Sequence, residues 1–223
     1  MDPAELRANP EQVASLIEHT NVDPTATASA IQALCTDVRE YGFRSAVVVP
    51  YHAEYASECL EGTASVTAVV GFPYGVQNSR AKQLEVEALS EWVDEFDMVM
   101  NRTAFANDDF DAVVDDVAAV RETVGDQTLK CIIESPALSD DEIATAARLV
   151  AEGGADIVKT AVGYEGGCDP DEVRTIREAV GPDVGVKASG GIGTFEEALA
   201  MVEAGATRIG ASAGVEILES IGD

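Results

Sequence analysis

"ADIVKTA" (residues 155–161) and "VGVKASG" (residues 184–190) decide the fold. Each is a short apolar run with a lysine inside it. Their spacing, about 30 residues from start to start, is that of a strand–helix–strand crossover. Working outward in both directions, the same rhythm returns in "SLIEHT" (15–20), "SAVVVP" (45–50), "SVTAVVGFP" (65–73), "FDMVMN" (96–101), "TLKCIIES" (128–135) and "TRIGAS" (207–212). Short apolar strands alternating with stretches of helical period are the pattern of a parallel α/β architecture. Eight such units in 223 residues predict one (β/α)8 TIM barrel, a single domain over residues 1–223 with a short N-terminal helix. A doubly wound open sheet would place a glycine-rich turn after the first strand, and "IEHTNVDP" contains no glycine.

Helix boundaries are also written in the chain. Asp23-Pro24 predicts the start of a helix that stops at Gly42. Ser139 with Glu142, and Thr194 with Glu197, have the spacing of capping boxes, in which a hydroxyl and a carboxylate satisfy each other's backbone amides.

Composition narrows the partners. With 41 acidic against 14 basic residues the formal net charge is −27. Nucleic acid and anionic membranes would be repelled, and no basic stripe offsets that. No apolar run approaches the roughly 18 residues of a membrane span. "MDPAELRANP" lacks the basic and apolar regions of a secretory signal, so a cytoplasmic location is expected. The acidic excess repels itself at low salt, whereas at ~1 M salt the Debye length is about 3 Å and the repulsion is screened. The composition resembles that of haloarchaeal proteins. Cys35, Cys59, Cys131 and Cys168 form no C-x-x-C pair, and His19 and His52 are the only histidines, so no metal site is expected.

The chemistry is expected where barrel strands end and the following loops begin. Lys159 is read as ending strand six and Lys187 as ending strand seven, in a chain with only four lysines. Adjacent parallel strands lie about 4.8 Å apart, so two inward-facing lysines at one height bring their amines together. Two unit charges 4 Å apart repel by about 4 kcal/mol at an effective dielectric of 20. One amine should then lose its proton readily and become a nucleophile able to form a Schiff base. Asp97 shares a strand face with Val99 and Asn101 and can point into the same cavity. There it would relay a proton, anchor an ammonium or form a structural ion pair. The glycine-rich ends of the last strands offer Gly190, Gly191, Gly210 and Ser212 as a backbone cradle for a phosphate.

"ADIVKTAVGY", "GGCDPDEVRTIRE", "VGVKASGGI" and "EALAMVEAGATRIGASAGV", with "IEHT", "AVVGFPYG", "FDMVMN" and "CIIES", closely resemble the deoxyribose-phosphate aldolases over almost the whole chain. The resemblance implies a class I aldolase without metal or other cofactor. Such an enzyme reversibly cleaves 2-deoxy-D-ribose 5-phosphate to D-glyceraldehyde 3-phosphate and acetaldehyde. It also implies Lys159 as the Schiff-base nucleophile, Lys187 as the lysine that lowers its pKa, and Asp97 as the proton relay. Substrate contacts follow from the matched motifs at Glu18, Thr20, Thr160 and Gly163, and related aldolases form homo-oligomers, dimers or tetramers. Glu18 stands where the family commonly has aspartate, Tyr164 where some members have lysine, Gly193 where many have arginine, and Ala213 where there is a second serine. Two other readings remain at this stage: another lysine aldolase on the same fold, and a sugar-phosphate-binding barrel without catalysis.

Overall fold

A computed structural model describes residues 2–222. Eight strands follow one another around a closed parallel barrel. They are β1 (Ile17–Asn21), β2 (Ser45–Val48), β3 (Ser65–Val70), β4 (Glu95–Val99), β5 (Thr128–Ile132), β6 (Ile157–Lys159), β7 (Gly185–Ser189) and β8 (Arg208–Ala211). Pairing of β8 with β1, Glu18 opposite Gly210, closes the ring. The helices are α1 (Pro3–Ala8), α2 (Ala28–Tyr41), α3 (Ala53–Leu60), α4 (Ser79–Leu89), α5 (Arg102–Ala106), α6 (Phe110–Val124), α7 (Asp140–Glu152), α8 (Pro170–Val180), α9 (Phe195–Glu203) and α10 (Gly214–Glu219). The expected (β/α)8 barrel and its short N-terminal helix are therefore present.

Both capping boxes form, Ser139 with Glu142 and Thr194 with Glu197. Helix α2 differs from expectation at its start. The Asp23 carboxylate is engaged by the Thr25 amide and hydroxyl, each at 2.7 Å, which makes a tight turn rather than a helix cap. Capping passes to Thr27, whose hydroxyl accepts from the Ala30 amide. The helix ends as expected, at Gly42 in the left-handed region with φ of 69°. Strand β7 runs two residues past Lys187, because the Ser189 amide and carbonyl are both held by the Thr160 hydroxyl.

Strand alternation divides the interior into two regions of opposite chemistry. Outward-facing Val48, Val70, Phe96, Met98, Leu129, Cys131, Val158, Val186 and Ile209 pack against the helices and form the continuous apolar core. Burying each such large side chain contributes about 1.5–3 kcal/mol. The lumen is instead crowded with buried polar and charged groups, including Glu18, Ser45, Thr67, Glu95, Asp97, Lys130, Lys159 and Lys187. Outside the barrel a second buried ion pair braces the same region. Lys82 on α4 donates to Asp116 on α6 at 2.5 Å and to the Val99 carbonyl at 2.8 Å, tying two helices to the end of β4.

Candidate active site

Register brings the lysines together: Lys159 is opposite Lys187 across β6 and β7, and Lys130 is opposite Asp97 across β4 and β5. Asp97 is the hub. Its Oδ2 accepts from Lys159 and from Lys187, both at 2.7 Å, and its Oδ1 accepts from Lys130 at 3.0 Å. Lys187 also donates to Glu18, and Lys130 lies 2.6 Å from Glu95 and 3.3 Å from Glu18. Arg44 and Arg208 close the column below, 3.6 Å from Glu95 and 3.7 Å from Glu18. Positive and negative groups thus alternate along the barrel axis. A buried charge is tolerated only when paired in this way.

The pairing decides the protonation states. Burial would raise the Asp97 carboxyl, but Lys130, Lys159 and Lys187 together hold it well below the usual carboxylate range. Glu18 is also lowered: burial opposes ionisation, and Lys130 and Lys187 outweigh it. Lys130 is raised, since Asp97, Glu18 and Glu95 more than repay its burial. Lys159 goes the other way, down to about 8, with burial as the largest cause and the neighbouring Lys187 as a further one, against the pull of Asp97. The crowding of two ammonium groups expected from sequence is therefore the lesser cause, and desolvation the greater.

Lys159 is the one charged side chain lining a cavity of about 370 Å³ at the mouth of the barrel. Thr20, Gly163, Gly190, Gly191, Gly210 and Ser212 share its wall, with Val22, Val162, Tyr164, Ser189 and Gly193. Gly210 has to be a glycine here, because a Cβ would stand 2.2 Å from the Ser189 hydroxyl and 2.9 Å from Cε of Lys187. Gly190 and Gly191, at φ of 96° and 76°, adopt a backbone that other residues rarely take, which turns the chain around the rim. Tyr164 donates to the Val22 carbonyl at 2.6 Å and packs edge-on to Phe72, forming a strap across the opening. A hollow of about 610 Å³ outside the barrel, beside Phe105, Phe110 and Leu138, is lined by no lysine.

Two residues expected at the substrate lie elsewhere. Glu18 is fully buried under the lysines, where Lys187 and Lys130 occupy its carboxylate, so it does not face the cavity. Thr160 points away from the lumen because alternation sends Lys159 inward, and its hydroxyl is spent on the Ser189 backbone. Lys130 and Glu95 were not expected in the site. The available signal was strand alternation, which puts Glu95 and Lys130 on the inner faces that carry Asp97 and Ile132.

A closed parallel barrel with a lysine of lowered pKa at its mouth, joined to a second lysine through a shared aspartate, has the architecture of an aldolase-class enzyme. The DeoC/LacD family aldolase model matches residues 14–220. The chain belongs to that family. It is 44% identical to a deoxyribose-phosphate aldolase of Macrococcus caseolyticus, covering 93% of this chain and 96% of the relative. It is 46% identical to one from Methanothermobacter thermautotrophicus, covering 94% and 95% respectively. The tetrameric deoxyribose phosphate aldolase of Aeropyrum pernix superposes with a TM-score of 0.88 at 31% identity, covering 99% of this chain and 97% of that one.

Proposed function

We propose that the protein is a class I aldolase that reversibly cleaves 2-deoxy-D-ribose 5-phosphate to D-glyceraldehyde 3-phosphate and acetaldehyde. The observation that carries this reading is Lys159, buried at the cavity floor, ionising near 8 and joined to Lys187 through one oxygen of Asp97. The neutral Lys159 amine adds to the C1 aldehyde of the open-chain sugar, and loss of water gives an iminium. The C3 hydroxyl then gives up its proton, the C2–C3 bond breaks, and its electron pair moves toward the iminium nitrogen. Glyceraldehyde 3-phosphate leaves, and an enamine remains on Lys159. Protonation at C2 and hydrolysis release acetaldehyde and restore the amine. Lys187 and Asp97, already hydrogen-bonded, form the proton store for these transfers by way of water admitted to the cavity. Thr20, Ser212 and the Gly190-Gly191 and Gly210 backbone line the space for the sugar hydroxyl groups and phosphate.

Borohydride added with acetaldehyde is expected to leave an ethyl group on Lys159, mapped by peptide mass, with a trapping rate that rises as pH passes through about 8. An adduct mapping to Lys187, or none at all, overturns the assignment.

The same reading extends to the whole molecule: one catalytic domain over residues 1–223, a cytoplasmic setting in deoxyribose phosphate breakdown, and a homo-oligomer, dimer or tetramer. No helix among the described residues is long and apolar enough to cross a membrane. A net charge of −27 suits a halophilic host, because concentrated salt screens the repulsion among exposed carboxylates. Tm is expected to rise by about 5–10 °C between 0.1 and 2 M KCl, the shift that some 2–3 kcal/mol of relieved repulsion gives a domain of this size. A Tm independent of KCl removes the halophilic reading and leaves the aldolase one untouched.

A further inference from the structure

Lys130 is a buried cation that the aldol chemistry above does not use. It is fully enclosed, two residues into β5, and it lies too deep to line the cavity. A lysine placed there only to neutralise acids would serve with Glu95 and Glu18, yet it also takes Oδ1 of Asp97 at 3.0 Å. The carboxylate is thereby held from both sides: Lys130 on one oxygen, Lys159 and Lys187 on the other. We infer that Lys130 is a positioning residue of the aldol centre, fixing the Asp97 carboxylate so that a single oxygen is shared between the nucleophilic lysine and the proton-relay lysine.

The geometry has an electrostatic corollary. Asp97 carries one negative charge for three ammonium groups, so what Lys130 draws to Oδ1 is withheld from Lys159 at Oδ2. The charged groups facing this centre are Glu18 from β1, Arg44 ahead of β2, Glu95 and Asp97 from β4, Glu134 after β5, Lys159 from β6, Lys187 from β7 and Arg208 from β8. Strands β2 and β3 add only the neutral Ser45 and Thr67. Removing the Lys130 charge leaves the surroundings of Lys159 more negative and favours its protonated form. Removing the Glu95 charge frees Lys130 to lean on Asp97 and does the opposite.

The inference rests on the aldolase reading for its meaning, but its test does not need the substrate. Trace labelling of lysines by acetic anhydride, mapped by peptide mass across pH, gives the midpoint at which Lys159 becomes a free amine. In wild type it is expected near 8. Lys130→Met should raise it by about one pH unit or more, and Glu95→Gln should lower it. In the same variants the acid limb of kcat/KM should move with the labelling midpoint, so that Lys130→Met loses roughly tenfold at pH 7 and regains most of that above pH 9. A loss equal at every pH, with the midpoint unmoved, means that Lys130 only fills space and overturns the inference. Should Lys130→Met fail to fold, Glu95→Gln decides alone: an unchanged or raised midpoint sinks the proposal. Failure of the aldolase reading shows separately, as the absence of a borohydride adduct in the wild-type protein.

Discussion

Lys159→Leu is expected to lower kcat/KM for deoxyribose 5-phosphate cleavage by a factor on the order of 10⁵, and to leave no borohydride adduct on any lysine. The size of the loss follows from the lack of a substitute. Lys187 is fully buried and engaged by Glu18 and Asp97, and Lys130 lies deeper still, so neither amine reaches the cavity. Stability should move the other way. Holding a lysine at about 8 in the folded chain against an ordinary value of 10.5 costs about 3 kcal/mol wherever the amine is protonated. Because the folded value is the lower one, that cost is fully present below pH 8 and disappears as pH rises toward 10.5. The variant should therefore unfold no earlier than wild type at pH 7, as measured by thermal denaturation, and any advantage should vanish above pH 10. A variant that is inactive and also much less stable at pH 7 would mean that the lysine is a structural member of the ion column rather than its reactive end.

The barrel was legible because its strands and helices obey local rules. Apolar runs recur at crossover spacing, and the Ser139–Glu142 and Thr194–Glu197 signals each formed the box their spacing predicts. The start of α2 was not, because Asp23 had two competing uses and the Thr25 hydroxyl settled which one won. At the site, Lys159 and Lys187 stood out by position, as rare lysines beside strand ends. Lys130 was hidden by its neighbours, since "TLKCII" reads equally well as a strand with a snorkelling lysine. What distinguishes it is the partner at its height on β4, and the register across β4 and β5 is a property of the closed barrel rather than of either segment. Glu18 was misplaced for a related reason. The likeness of "IEHT" to the family motif implies a substrate contact at Glu18, and nothing local in that segment shows that β7 brings Lys187 onto its carboxylate.

Asp97→Asn is the second large effect, and it separates two roles that Lys159→Leu removes together. Of the lysines around Asp97, Lys130 keeps Glu18 and Glu95, and Lys187 keeps Glu18, but Lys159 has no other acidic partner among the described ion pairs. Burial and Lys187 would then act on Lys159 unopposed, so its amine should become free at a pH below 8. Nucleophile supply thus improves while turnover falls, by about 10²–10⁴ in kcat, the range expected when a positioned proton-transfer group is lost. Adduct trapping with acetaldehyde should accordingly persist at pH 7, and cleavage should not. The price in stability is also distinctive, since removing one partner from a buried ion cluster costs about 3–5 kcal/mol. Asp97 is held well below the usual carboxylate range, so its contribution is complete above about pH 4 and is lost only as pH falls through the folded value. The Asp97 part of the Tm deficit should therefore narrow only in acid, while the part that comes from Lys159 should shrink as pH rises toward 8, because the variant frees that amine earlier than wild type does. If trapping and turnover instead fall together, Asp97 serves to hold Lys159 in place, and the proton store must be sought in Lys187 alone.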